Sequence, residues 1–268
     1  MTQESDLEEV VAAVKGSRKY GDTSEETIRQ LAAEAIRQHK RPKAAIKAVR
    51  KRLHSIMAPY LGDPDYEVTA AALDAAFAAE DEAEIKEICL GALESHLSTR
   101  ERLPITDLFY RQIFEVTGTP KRLLDIACAL NPMAFPWMGL PNSVEYYAYD
   151  IHEPRINFIN HYFTLQGLAP LARLQDVALT PPRETADVAL FLKEMPRFER
   201  NYPGSGRDLL VGLPVRYLVV SFPTVSTHSG RSLVTRYRQF FAELVADQSW
   251  PFEELMFDGE MVFIADKS

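Results

Sequence analysis

Two apolar runs separated by a turn of small residues set the plan of this chain, and both lie between Leu123 and Ile151, in LLDIACALNPMAFPWMGLPNSVEYYAYDI. The first run (Leu123, Leu124, Ile126, Ala127) gives way to Ala127-Cys128-Ala129, and Asn131-Pro132 then breaks any continuing pattern. The second, Tyr146-Tyr147-Ala148-Tyr149, ends on Asp150. This is the form of a nucleoside-binding βαβ unit. Strand one ends in small residues that let a ligand approach the backbone, and strand two ends in an acid placed to accept from ribose hydroxyls. Asn131 and Asp150 are 19 residues apart, near the roughly 20 such an acid needs. The phosphate-binding G-x-G-x-x-G is absent, with Ala129 where a glycine would be favoured. A ligand without phosphates therefore suits the turn better than a dinucleotide, and S-adenosylmethionine (SAM) is the foremost of these. An ordinary buried βα unit has the same pattern without a ligand.

Before this stretch the periodicity is helical. Leu7, Val10, Val11 and Val14 follow the i, i+3, i+4, i+7 spacing, and Ile28, Leu31, Ala32, Ala35 and Ile36 make a second stripe behind a capping-box spacing at Thr23 and Glu26. Pro42 suits the first turn of a third helix, whose apolar face is Ile46, Val49, Leu53, Ile56 and Met57. Gly62-Asp63-Pro64-Asp65 marks a turn, followed by helices over Val68–Ala79 and Glu82–Leu97. Ser98 and Glu101 give another capping-box spacing, which predicts the start of the helix carrying Leu108, Phe109 and Ile113. After Pro120 strands alternate with helices: Leu123–Ala129, Tyr146–Asp150, a weaker Leu171–Val177, Ala186–Lys193 and Arg216–Phe222, then a hairpin of Glu254–Phe257 and Met261–Ala265 about Asp258-Gly259. The pattern predicts a helical domain over 1–104 and, over 105–268, a Rossmann-like α/β domain of mostly parallel sheet with a terminal antiparallel hairpin, the shape of the SAM-dependent methyltransferase fold.

Charge divides the chain more sharply than its net −8 suggests. From Arg37 to Arg52 there are eight cations, among them Lys40, Lys43, Lys47, Arg50 and Lys51, and no acid, whereas Asp63 to Glu94 holds ten acids and the single Lys86. Phosphate contacts respond to local potential, so the third helix is either a nucleic-acid face or a solvated one. No apolar run approaches the ~20 residues of a membrane span, and the acidic start (Glu4, Asp6, Glu8, Glu9) is unlike a signal peptide. The two cysteines, Cys89 and Cys128, form no CxxC or Cys/His cluster, which suits a reducing cytoplasm. The six histidines are scattered, and no HExxH or GxSxG occurs. Cys128 is better read as a small buried residue than as a nucleophile.

In parallel α/β sheets ligands gather at the carboxyl ends of strands. The residues there are Ala127 to Ala129, Asp150, Asp176, Lys193 to Pro196 and Ser221 to Thr224. Asp150 would hold the ribose, Asp176 with Val177 the adenine, and Lys193 would face the transfer site. Asp150 and Asp176 would equally serve as helix caps, and Lys193 as a snorkelling surface lysine.

Several of these segments together resemble a known family. Ser98-Thr99-Arg100-Glu101-Arg102-Leu103-Pro104, Asp125 to Pro132 (DIACALNP), Pro136-Trp137-Met138-Gly139-Leu140 and Phe191-Leu192-Lys193 are similar to the Arm/Rmt (FmrO-like) aminoglycoside-resistance methyltransferases, as are Ser17-Arg18-Lys19-Tyr20 and Leu53-His54-Ser55-Ile56. Those enzymes methylate N7 of guanine 1405 in 16S rRNA. The resemblance implies that Arg102 meets the methionine carboxylate of SAM and that Ala127 and Ala129 line its cleft. It places Asp150 and Ile151 at the ribose, Asp176 and Val177 at the adenine, and Leu192 and Lys193 at the transfer site, Lys193 orienting rather than acting as a base. Tyr60, His96, Leu97 and Ser98 would close over the cofactor, and Asn201 would contact it. Arg18, Lys19, Lys43, Lys47, Arg50, Lys51 and Arg231 would grip the 30S subunit, the protein acting as a cytoplasmic monomer. The sequence departs from the family at Ala129, which replaces a glycine, at Asn201, which replaces a glutamine found in some members, and at Val225 and Leu233-Val234, where basic residues and a Lys-Gly-Met are expected.

Overall fold

A computed structural model describes residues 3–39, 41–57, 62–226 and 229–268. Lys40 and Tyr60, named above, lie outside the described residues. Three helices open the chain, α1 (Gln3–Lys15), α2 (Glu25–Gln38) and α3 (Pro42–Met57). They bury Val10, Val14, Ile28, Ala32, Val49 and Leu53 against one another as a separate apolar cluster. The same period turns Lys43, Lys47, Arg50 and Lys51 of α3 to solvent. Helices α4 (Tyr66–Ala78) and α5 (Glu82–Ser95) follow, each opened by an aspartate, Asp65 or Asp81, that accepts from amides of its first turn.

The strands are β1 (Arg122–Ile126), β2 (Glu145–Asp150), β3 (Ala172–Leu174), β4 (Ala186–Leu192), β5 (Val215–Pro223), β6 (Phe252–Met256) and β7 (Glu260–Asp266). They form one seven-stranded sheet in the order β3-β2-β1-β4-β5-β7-β6. The first five are parallel, and β7 inserts antiparallel between β5 and β6. The order reverses between β1 and β4, so a crevice opens where their carboxyl ends part.

Period-two alternation covers both faces of the sheet. Leu123 packs with α4, α5, α7 (Thr106–Thr117), α8 (Phe135–Met138) and α9 (Glu153–Leu165), whereas Leu124 and Ile126 pack with α10 (Met195–Asn201), α11 (Ser205–Gly212) and α12 (Val234–Leu244). The hydrophobic clusters therefore divide the chain elsewhere than its composition does: α4, α5 and α7 share a core with the sheet, and only α1 to α3 stand apart.

Both capping-box readings are corrected. The N-cap of α2 is Ser24, without a side-chain cap bond, and the Thr23 hydroxyl donates instead to Met57 Sδ at 3.3 Å. Ser98 and Glu101 belong to a four-residue helix, α6 (Leu97–Arg100), and the helix carrying Phe109 starts only at Thr106. The chain turns twice here because the Thr99 hydroxyl donates to Leu93 O at 2.6 Å and because Arg102 is drawn into the protein. Strand β3 is shorter than expected and leaves Asp176 in the turn beyond it.

The helical module docks on the rim of the sheet through backbone and side chain. Ser24 N donates to Ile151 O at 2.7 Å, Glu153 N donates to Asp22 O at 2.9 Å, and the Thr27 hydroxyl donates to Asp176 Oδ2 at 2.9 Å. Because the α1–α3 core is separate, Leu53→Ala is expected to cost about 2–5 kcal/mol. Hydrogen exchange should show amide protection falling across α1 to α3 while β1, β4 and β5 keep theirs.

Candidate active site

The turn after β1 begins the site. Ala127 and Ala129 have φ of 52° and 48°, the left-handed region that L-residues enter at a cost of roughly 1–2 kcal/mol. Two reversals within three residues end the strand and bend the chain toward the crevice. Asn131-Pro132 then starts a 3-10 turn running to Ala134. The amide of Ala129 donates to Asp150 Oδ2 at 3.1 Å, tying the turn to the acid that ends β2.

These elements enclose one cleft. Of the residues expected at the cofactor, Ser98, Arg102, Ala127, Ala129, Asp150, Ile151, Asp176, Val177, Leu192 and Asn201 line it. Lys19, expected on the RNA face, also reaches its wall. His96, Leu97 and Lys193 do not line it. The His96 ring is buried with Nδ1 3.1 Å from Ser98 Oγ, and burial holds its pKa down to about 4, so it is neutral. Lys193 has φ 60°, and its ammonium lies 3.0 Å from Glu101 and 3.2 Å from Glu260. Arg18, Lys43, Lys47, Arg50, Lys51 and Arg231 are exposed away from the cleft wall.

Asp150 is 7% exposed. Its Oδ2 accepts from Ala129 N and from Arg155 Nη1 at 3.0 Å, and Oδ1 accepts from the His152 amide at 2.9 Å. A carboxylate oxygen accepts about two bonds, which leaves Oδ1 room for a ribose hydroxyl. Arg155 also reaches Asp63 at 2.6 Å. Burial opposes the charge of Asp63, but Arg155 prevails and holds its pKa below the ordinary carboxylate value.

Also on the cleft wall, the Arg102 guanidinium, 3% exposed, lies 3.2 and 2.8 Å from Glu260 through Nε and Nη2 and 3.0 Å from Asn131 Oδ1 through Nη1. The guanidinium N–H groups not used in these bonds suit a carboxylate. Burial disfavours ionisation of Glu260, yet Arg102 and Lys193 hold its pKa below the usual range. Asn131 Nδ2 donates to Asp125 at 2.8 Å and Tyr146 OH donates at 2.7 Å. Asp125 is nonetheless pushed up by burial to about 7. Burial also raises Asp176, and it raises the Cys128 thiol well above its ordinary value, which removes Cys128 as a nucleophile.

Sequence reasoning assigned no role to Asp63, Asp125, Arg155, Glu194 or Glu260. Asp125 did carry a signal, an acid within an apolar run, where a charge persists only with a partner, whereas Glu260 opens its strand beside the Asp258-Gly259 turn and stood out less. Asp63 and Arg155 carried none, because their meeting depends on how the turn before α4 packs.

The cleft accommodates SAM. Small residues leave the backbone of the turn open, Asp150 Oδ1 keeps a spare lone pair, and the Arg102 guanidinium stands on the same wall. Residues 16–264 match the family model described as Ribosomal RNA methyltransferase (FmrO). The chain is 33% identical over 268 residues to the 16S rRNA (guanine(1405)-N(7))-methyltransferase of Frankia casuarinae, covering 98% of this chain and 94% of that protein. It is 35% identical over 236 residues to the protein of the same name from Serratia marcescens, covering 88% of each. Among solved structures, the 16S rRNA methyltransferase RmtF in complex with S-adenosyl-L-homocysteine superposes with a TM-score of 0.84 at 27% identity, and the 16S rRNA methylase RmtB with 0.78 at 30%, each over 98% of both chains.

Two outcomes follow from the charges and the strain. Asp125, near 7, and Glu194, raised by burial to about 8, hold protons in the fold that the unfolded chain has released. Stability therefore falls as pH rises through their window. Below the ordinary histidine value of 6.5, His96 and His152, both lowered by burial, work the other way. Lys267, lowered by burial to about 8, acts only above that pH. Between pH 6.5 and 8 the melting temperature is expected to drop by a few degrees, and Asp125→Asn should flatten the slope. Ala129→Gly, which frees the turn of its Cβ, should leave denaturant stability unchanged or raise it by at most about 1 kcal/mol.

Proposed function

The chain belongs to the FmrO family of ribosomal RNA methyltransferases, and we propose that it transfers a methyl group from SAM to N7 of guanine 1405 in the 16S rRNA of the small ribosomal subunit. The observation that carries this reading is the convergence of Asp150 and Arg102 on one cleft. Asp150 bonds Ala129 of the strained turn and Arg102 bonds Asn131 just beyond it, at the point where the strand order reverses. The relatives named for this reaction supply the base and the atom.

SAM, when bound, supplies an electrophilic methyl group on a sulfonium. Guanine N7 offers a lone pair and no proton, so the protein needs no general base. Its task is to hold the two in line, and proximity contributes up to about 7–11 kcal/mol in favourable cases. In this reading Arg102 takes the methionine carboxylate, Asp150 the ribose, and Asp176 with Val177 the adenine, while Leu192 borders the transfer point. Lys193 is a positioning residue. Its ammonium neutralises Glu260, and Glu260 aims Arg102.

N7 lies in the deep, narrow major groove of A-form RNA, so the target must be distorted or flipped, at a cost of a few kcal/mol. Protein–phosphate contacts offset that cost, and the exposed cations of α3 are where we place them. Lys19 links that face to the cleft wall. The enzyme acts on the intact subunit, as a cytoplasmic monomer, and the modified base makes its host resistant to aminoglycosides. Among the described residues no helix is long and apolar enough to cross a membrane.

The test is methylation of purified 30S subunits with labelled SAM, followed by borohydride–aniline cleavage and primer extension across the decoding site. A stop at guanine 1405 is expected, and a stop elsewhere would refute the assignment. The triple variant Lys43→Glu, Lys47→Glu, Lys51→Glu should weaken subunit binding at least tenfold and reduce its salt dependence, with SAM affinity unchanged. Arg102→Ala should instead lose SAM binding.

A further inference from the structure

Glu194 differs from the other acids of the cleft. Asp150, Asp125 and Asp176 each accept two or more hydrogen bonds. Glu194, the N-cap of α10 just past the end of β4, lines the same cleft with its side chain 12% exposed. Its Oε2 is shut off from solvent and has no hydrogen-bond partner among the described residues. Arg197 Nη1 approaches that oxygen only to 3.4 Å, beyond an ordinary hydrogen bond. An ionised carboxyl so buried stays costly even with Arg197 at 3.4 Å, and a further positive charge in the cleft lowers that cost.

The charges acting on Glu194 are those of Arg197 and Arg200, on its own helix, and burial outweighs them. Lys193 is committed to Glu101 and Glu260, and Arg102 to Glu260 and Asn131. Of the helices packed on α10, α3 brings Arg52, which lies over the Tyr202 ring, and α11 brings Arg207, paired with Asp247. A carboxyl in this position keeps its proton up to about pH 8 while the cleft holds no further cation.

Methyl transfer carries one positive charge through the cleft. The N7 lone pair forms the new N–C bond as the C–S electron pair returns to sulfur, so the charge passes from the sulfonium to the guanine ring. We propose that Glu194 is the counter-charge for this transfer: its carboxylate faces the sulfonium of SAM, ionises as SAM enters, and then faces the ring that has become cationic. The proposal rests on the reading of the cleft as a SAM site. It also makes the cleft discriminate between donor and product, because S-adenosyl-L-homocysteine is a neutral thioether that gives Glu194 no reason to release its proton.

Calorimetry on the full chain at pH 7, in buffers of different ionisation enthalpy, counts the protons released as SAM or S-adenosyl-L-homocysteine binds. Wild type should release close to one proton more with SAM than Glu194→Gln does, and the two proteins should agree with S-adenosyl-L-homocysteine. Glu194→Gln should weaken SAM about tenfold or more and leave S-adenosyl-L-homocysteine within about twofold. In wild type the preference for SAM over S-adenosyl-L-homocysteine should strengthen from pH 6 to pH 8.5, a measurement that needs no variant. Equal proton release from wild type and Glu194→Gln on SAM binding would overturn the proposal, as would a wild-type preference that does not change with pH. If neither ligand binds wild type, the SAM reading of the cleft falls first and the counter-charge with it.

Discussion

The ion pair between Arg102 and Glu260 holds the site in register. The two residues lie 158 positions apart, and both side chains are almost wholly inaccessible, at 3% and 1% exposure. Replacing such a pair by apolar residues can be neutral, but removing one partner strands a buried charge, at about 3–5 kcal/mol. Each member also has further commitments. Glu260 accepts from Ser221 Oγ at 2.6 Å and neutralises Lys193. Arg102 is fixed by Asn131, which in turn accepts from Tyr110 OH at 2.6 Å and donates to Asp125. The terminal hairpin, the β1 turn, the end of β4 and the segment after α5 thus share one polar network inside an otherwise apolar core. Satisfied networks of this kind favour one arrangement over its near neighbours, and here that arrangement fixes where a guanidinium fork points.

The helical module presses on the same cleft from the other side. Thr27 donates to Asp176, Ser55 donates to Asn201 at 3.3 Å, and Tyr202 from the far wall also reaches Asp176 at 3.4 Å. The residues assigned to the adenine end are therefore the residues on which α2 and α3 rest. The exposed cationic face of α3 and the cleft are joined through a few side chains rather than through a linker. A single geometry serves both.

The turn after β1 shows how far one side chain shifts the cost of such a site. A glycine at position 129 would take φ 48° freely; alanine takes it under strain, and the bonds from Ala129 N to Asp150 and from Cys128 N to Tyr149 O hold it there. The turn keeps its shape because its neighbours over-determine it.

Much of the architecture was legible in the chain itself. Apolar runs marked the five parallel strands, the first three ending in small or acidic residues, the Asp258-Gly259 turn marked the hairpin, and helical spacing marked α1 to α3, because each of these signals is local. The acids at the ends of β2 and β3 and the Arg102 segment pointed to the site for the same reason, and for Arg102 through family resemblance. Tertiary structure decided everything that depends on distant segments meeting. It paired Arg102 with Glu260 and Arg155 with Asp63, set Lys193 between two acids and off the cleft wall, gave α4 and α5 to the sheet rather than to the helical module, and left Glu194 buried without a hydrogen bond to Oε2. Periodicity tells which face of an element is buried; what that face is buried against, and so which charges must share a dry interior, is settled only by packing.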